Sequence, residues 1–244
     1  MNATYTRYEL LRLIRNRQSF VFSLVIPLVV FYAIAGSGGA NKTVVDGITF
    51  GRFYFAGMLA LGTIASVFAG GARIAVERQV GWNRQLRLTP LPAGTYIRTK
   101  VLTSYFLAIL VMLLLTLAAL SLGVHLPFAQ WAKTVGLVVV ALIPFAALGI
   151  ALGHLISADA LGPVIGIGVS FFAILGGAYF PIGGDHGFMH DFVRAIPSFW
   201  LVQAGKNGIG GQSWTALAWL VVAAWAVAAG AFAAWAYRRD TRKV

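Results

Sequence analysis

Four groups of side chains in this 244-residue chain have types and spacings that suit chemistry. Asp185, His186, His190 and Asp191 lie within DHGFMHD, and on a helix the two histidines would share a face at i, i+4, as paired metal ligands do. No glutamate completes an HExxH pattern and Gly187 weakens a helix there, so the segment reads as a polar edge and no metal is expected. Ser170 and His154 have the types of a nucleophile and its base, but they belong to opposite ends of neighbouring apolar segments, with no recognisable oxyanion hole. Residues 36–43, GSGGANKT, approach the phosphate-binding pattern GxxxxGK[ST], yet Asn41 stands where the second glycine belongs and an apolar segment precedes them instead of a strand. No catalytic residue and no ATP site is therefore expected in this chain. The fourth group is cationic: Arg73, Arg78, Arg84, Arg87, Arg98 and Lys100 fall within residues 73–100 beside one acid, Glu77.

The elements that would hold these residues follow from hydropathy. The chain is 59% hydrophobic and 11% charged, with a mean hydropathy of +0.81. Soluble domains carry roughly 25% charged residues, so an all-α integral membrane protein is expected. The net charge of +12 would suggest nucleic acid in a soluble protein, but here the cations flank apolar segments, where they orient the protein and meet anionic lipid. Nucleic acid is not an expected partner. With no cysteine, disulfide and thiol chemistry are excluded.

Six spans are expected, at about 20–35, 53–72, 101–124, 134–155, 161–180 and 214–237, in a single transmembrane domain covering 1–244. Residues 1–18 form an amphipathic stretch, with Leu10, Leu11, Leu13 and Ile14 opposite Glu9, Arg12, Arg15 and Asn16, as in an interfacial helix. Ala33-Ile34-Ala35 resembles a signal-peptide cleavage site, but the preceding polar region is long and five more spans follow. Gly149/Gly153 and Gly162/Gly166 have the small-residue spacing of close helix contacts. Residues 181–213 carry Phe188, Met189, Phe192, Phe199 and Trp200, which fit short helices dipping into an interface better than a solvated loop. Fourteen of the nineteen Lys and Arg fall on one side of this topology and five on the other, which places both termini in the cytoplasm.

No ionisable residue lies in the middle of an expected span, since His154 and Asp159 belong to a turn. An ion-coupled carrier usually keeps such residues there. Energy for any transport must then come from another subunit. Residues 73–100 are where it would bind. Val80, Trp82, Leu86 and Leu88 give a helix there an apolar component, and Thr89-Pro90-Leu91-Pro92 ends it. Glu77 would cap that helix or pair with an arginine, Gly81 would allow close approach or a bend, and Trp82 and Leu86 would supply contact area.

The segment Glu77-Arg78, Gly81, Leu86, Thr89-Pro90-Leu91 and Lys100 is similar to the ER…G…L…TP…K segment of type-2 ATP-binding-cassette exporter permeases, a class that includes drug- and antibiotic-resistance permeases and polysaccharide exporters. Leu175-Gly176-Gly177-Ala178-Tyr179-Phe180-Pro181, followed by Ile196-Pro197, and an amphipathic N-terminal helix leading into six spans extend the resemblance over most of the chain. It implies a coupling helix at Glu77–Leu91 seated on separate cytoplasmic ATPase subunits that bind ATP and Mg. It also implies a second permease, identical or a sibling, and a bacterial cell membrane. Where the family often has an acid after Gly81, this chain has Asn83 and Gln85. An export path for hydrophobic or amphiphilic cargo, drug-, antibiotic- or lipid-like, is expected between spans 2 and 5, lined by Phe55, Met58, Phe68, Phe171 and Phe172. The alternatives are a polysaccharide or glycolipid exporter, or a non-transporting sensor or assembly protein.

Overall fold

The computed structural model of the chain describes residues 3–15, 17–36, 43–45, 48–82, 85, 88, 92–180, 182, 187–207 and 213–241. Ten long or short helices account for nearly all of them: α1 (Ala3–Arg15), α2 (Arg17–Ala35), α3 (Phe50–Gln79), α4 (Ala93–Ser121), α5 (Phe128–Ala141), α6 (Ile143–Leu155), α7 (Ala158–Leu175), α8 (Phe188–Arg194), α9 (Pro197–Lys206) and α10 (Ala216–Thr241). A short antiparallel ladder of β1 (Thr43–Val45) and β2 (Ile48–Thr49) leads into α3.

Five of these helices are long and apolar enough to cross a membrane, with α5 and α6 counted as one: α3, α4, α5–α6, α7 and α10. The first expected span corresponds to α2, whose apolar part is the shorter stretch Leu24–Ala35. Between α5 and α6 the chain turns at Leu142, because Pro144 in the first turn of α6 cannot donate a backbone hydrogen bond. The chain is thus a multi-pass, almost wholly helical membrane protein.

Helix α3 is the axis of the bundle. It packs against α2, α4, α6, α7 and α9, and 78% of its most apolar stretch is buried, against 17% for α7. Its apolar side chains Phe55, Met58, Leu59, Ile64 and Phe68 are enclosed. Two of its faces also rely on residues without side chains. A Cβ on Gly71 would overlap the Gly149 carbonyl, and one on Gly153 would overlap the Gly71 carbonyl, so α3 and α6 touch backbone to backbone. The Gly149/Gly153 spacing therefore does what the sequence suggested. The Gly162/Gly166 pair does not within this chain, since both glycines face open space on α7.

The expected boundaries change most at residues 73–100. The sequence places this cationic stretch between spans, but α3 runs on to Gln79 and α4 starts at Ala93. Arg73, Glu77, Arg78, Arg98 and Lys100 therefore sit on the ends of the two longest helices. Periodicity hid this, because hydropathy windows stop at the first cluster of charges whether or not the helix does. Of the residues between, Trp82 and Gln85 are helical, whereas Leu86, Thr89, Pro90 and Leu91 lie outside the described residues.

At the opposite end, α8 exposes Phe188, Met189 and Phe192. Helix α9, by contrast, is buried along its whole length, packed on α3 and α5. The turn between them is held by indole donors: Trp200 Nε1 donates to the Arg194 carbonyl at 2.8 Å and Trp225 Nε1 to that of Ala195 at 2.9 Å. Lys206 ends α9 with 8% of its surface exposed, its ammonium 4.2 Å from the centre of the Phe53 ring. Burial pushes this ammonium down to about 8. The folded state thus binds fewer protons than the unfolded chain between about pH 8 and the usual lysine range, so the penalty is full below pH 8 and vanishes as pH rises through that window. Lys206→Met should raise the melting temperature at pH 7 by on the order of 5 °C and bring the two proteins together above about pH 10. Equal melting temperatures at pH 7 would contradict the burial penalty.

Candidate functional site

Glu77 and Arg78 are neighbours on the last turns of α3, about 100° apart around the helix, and they look in different directions. Glu77 faces α4 and α1. Tyr96 and Lys100 stand one turn apart on α4 and meet it together. The Lys100 Nζ lies 2.6 Å from Glu77 Oε1 and 2.8 Å from Glu9 Oε2. The Tyr96 hydroxyl donates to Glu77 Oε2 at 2.8 Å. From α1, Arg12 Nη1 reaches Glu77 Oε1 at 2.9 Å and Glu9 Oε1 at 3.7 Å. Two carboxylates and two cations thus form a neutral cluster. Glu77 and Lys100 are each 1% exposed and Glu9 6%, while the Arg12 side chain remains 55% exposed.

Charges this deep survive only when each is paired and hydrogen-bonded. That condition explains the rest of the neighbourhood. Ser104 and Thr103, a turn after Lys100, donate back to its carbonyl at 2.7 and 3.1 Å. Their oxygens also accept from Arg73 Nη2 at 3.2 and 3.4 Å. Thr6 and Thr99 join α1 to α4 at 3.2 Å. The Tyr5 hydroxyl is kept neutral, its ionisation pushed above the usual range by burial and then by the Glu9 and Glu77 charges.

Arg78 faces the other way, toward α6 and α10. Its Nε and Nη2 lie 3.0 and 2.9 Å from Asp240 Oδ1. Its Nη1 donates to the carbonyls of Gly153 and Ile156 at 3.0 and 3.3 Å. Those are carbonyls at the end of α6 that lack helical partners, so the guanidinium caps α6 while pairing with α10. Asp240 Oδ2 meets His154 Nδ1 at 3.0 Å. The base expected of a hydrolase is therefore a structural ligand of an aspartate, and Ser170 is exposed on α7.

Two adjacent residues at the end of α3 thus tie together α1, α4, α6 and α10. Just past them the chain turns. Val80 and Gly81 donate to the Val76 and Arg78 carbonyls at 3.1 Å, and Gly81 takes φ +73°. Nothing lies within 4 Å of the Cβ it lacks. Gly81 therefore serves a left-handed helix exit, and no described residue of this chain approaches it closely. The turn brings Trp82 back to a half-buried position, with its indole nitrogen enclosed. The anticipated pairing of Glu77 with an arginine is present, in company with Lys100.

The expected path residues separate. Phe55, Met58 and Phe68 are enclosed in the core of the single chain. Phe172 packs edge-on against Phe145 with centroids 5.1 Å apart, and Phe171 is 54% exposed on α7. On α8, His190 Nδ1 faces Asp191 at 3.2 Å, while Asp185 and His186 lie outside the described residues. No group of three or more metal-type ligands forms among the described residues.

A sequence profile for the ABC-2 family transporter proteins matches residues 41–237. The chain belongs to that family. A protein of Bacillus subtilis (strain 168), named "Putative transport permease YvfS", is 23% identical over 193 residues, 78% of each chain. This ABC-2 membrane protein is a transport-type subunit in which the matched region runs from before α3 to the last turns of α10.

Sequence reasoning quoted Lys100 as part of a motif but gave it no partner, and it set Glu9 and Arg12 on the solvent side of α1. The missed signal is scarcity: only seven acids occur in the chain, and Glu9, Glu77 and Asp240 each sit beside cations near a span end. Lys100→Met would leave Glu9 and Glu77 without their shared buried cation, a loss of about 3–5 kcal/mol. Arg12→Ala, at a half-exposed pair, should cost about 1 kcal/mol or less. In thermal unfolding in detergent, adding Glu77→Gln to Lys100→Met should recover much of the loss, because Glu9 and Arg12 then balance. Strictly additive losses would show that the cluster is not one unit.

Proposed function

We propose that this ABC-2 protein is the membrane permease subunit of an ATP-binding-cassette exporter, powered by separate cytoplasmic ATPase subunits that bind ATP and Mg. The observation that carries this reading is the charge cluster beneath the α3–α4 connection. A coupling segment is useful only if force applied to it reaches the bundle. Here the connection springs from residues locked to α1 and α4 through Glu77 and to α6 and α10 through Arg78. Glu77 and Arg78 act as positioning residues, while Gly81, Trp82, Leu86, Thr89, Pro90 and Leu91 form the docking segment.

In this reading α2, α3, α4, α5–α6, α7 and α10 are six spans, α1 lies along the inner leaflet, and the cluster end is cytoplasmic, as the excess of cations favours. The second permease, a copy or a sibling, meets the weakly covered α7, which leaves Ile167, Phe171 and Ile174 exposed. Closure of the ATPases draws the coupling segments together, and the two bundles rock between inward- and outward-open states. Phe171 and Phe172 lie beside the path between them. An apolar lining favours hydrophobic or amphiphilic cargo of drug, antibiotic or lipid type over a polysaccharide.

Two experiments test this. With no native cysteine, single cysteines at Lys42, Arg84, Gly184 and Thr241 report topology cleanly. A membrane-impermeant thiol reagent should label the first and third in intact cells, and the others only after permeabilisation; labelling of Arg84→Cys in intact cells would reverse the orientation. For coupling, Leu86→Ala and Trp82→Ala should leave the permease in the membrane at near wild-type amounts, yet cut co-purification of the ATPase subunit by about fivefold or more and lower export with it. Full co-purification and export by both variants would remove the docking role from this segment.

A further inference from the structure

The Arg78–Asp240–His154 group forms one wall of a cavity of about 370 Å³ between the ends of α6 and α10. Its other walls include Phe232, Trp235 and Arg239 of α10. Within the group, hydrogen-bonding capacity is nearly used up. Asp240 gives one oxygen to Arg78 and the other to His154, and Arg78 Nη1 is spent on the two α6 carbonyls. What remains for a ligand is specific.

Arg239 forms no ion pair among the described residues, and its guanidinium lies 5.3 Å from the Trp235 ring centre. His154 is 3% exposed, and its Nε2 is buried with no hydrogen-bond partner. That nitrogen is closed to a ligand, so what an occupant of the cavity meets is Arg239 and the aromatic rings. Two arginines against one aspartate make the cavity net positive.

The remaining wall fixes what kind of anion belongs there. Phe232 and Trp235 stack with planes 15° apart and centroids 5.6 Å apart. They are 39% and 48% exposed, on the helix whose apolar stretch Ala216–Asp240 can cross a membrane and ends here. A soluble anion gains little from a flat aromatic wall at the end of an apolar helix. An amphiphile gains more, with its charge among the arginines and its chains along the rings.

We propose that this cavity holds the headgroup of an anionic phospholipid. Its phosphate pairs with Arg239, and the glycerol backbone and first methylenes lie along Trp235 and Phe232. Phosphatidylglycerol, with its net negative headgroup, meets both requirements of a net-positive cavity with an aromatic wall; phosphatidylcholine, zwitterionic, does not. The assignment uses the cluster's geometry and not its role in transport, so binding can be measured without an ATPase or a known cargo.

The test uses the full chain, delipidated in detergent and titrated with phosphatidylglycerol or phosphatidylcholine under native mass spectrometry. The wild type should hold phosphatidylglycerol about tenfold more tightly than phosphatidylcholine. Arg239→Gln should reduce that preference to about twofold or less with an unchanged lipid-free melting temperature, Arg239→Lys should retain part of it, and Trp235→Leu should weaken both lipids. Inorganic phosphate and glycerol 3-phosphate at millimolar concentration should neither displace the lipid nor raise the melting temperature. Equal affinity of the wild type for both lipids, or an undiminished preference in Arg239→Gln, would overturn the assignment. Displacement by free phosphate would assign the cavity to a soluble ligand.

Discussion

A carboxylate in the interior of a membrane bundle has few ways to exist, and Glu77 shows what its survival demands. Each of its oxygens is occupied, one by Lys100 and Arg12 and the other by the Tyr96 hydroxyl. The partners arrive from two other helices, α1 and α4, and have to be delivered in register. The length of α3 beyond its apolar stretch, the early start of α4 and the presence of α1 against both are consequences of that demand. Remove any one and a charge is left in a medium that cannot solvate it.

The same accounting explains why Arg78 reaches in the opposite direction. A lone guanidinium at the end of α3 would need its own counter-ion, and α10 supplies it with Asp240. Since the guanidinium also caps α6, three helix ends are fixed by one side chain. The bundle is therefore stiff where the α3–α4 connection begins and loosely covered along α7, whose apolar residues face outward. A fixed cluster at one place and an uncovered apolar face at another is the arrangement that the proposed permease function would use.

Much of this was legible from composition and periodicity, and some was not. Apolar length identifies the five helices long enough to cross a membrane, and small-residue spacing identifies Gly149 and Gly153 as contact residues, because both signals are local. The fate of Glu77 was not legible in the same way. Its partners lie 19 and 23 residues after it and 65 before it in sequence, and hydropathy registers a charge as an interruption regardless of what neutralises it. Glu9 and Arg12 looked solvent-facing for that reason. The enclosed positions of Phe55, Met58 and Phe68 follow from the number of neighbours that α3 collects, which no single helix reveals. Gly81 was visible as a glycine that mattered, but its positive φ was not, since a turn's handedness depends on the helix that precedes it.

The contact between α3 and α6 has an evolutionary side. Where two helices meet through interlocking side chains, a substitution on one is absorbed or compensated on the other, and the crossing drifts as the sequence does. Gly71, Gly149 and Gly153 meet through peptide groups, which no substitution alters. Residues around them are free to diverge without moving the crossing, while at these three positions a single added methyl group is already too large. The helix pair can therefore hold its geometry across a wide range of sequences, at the expense of three sites that have almost no freedom to vary.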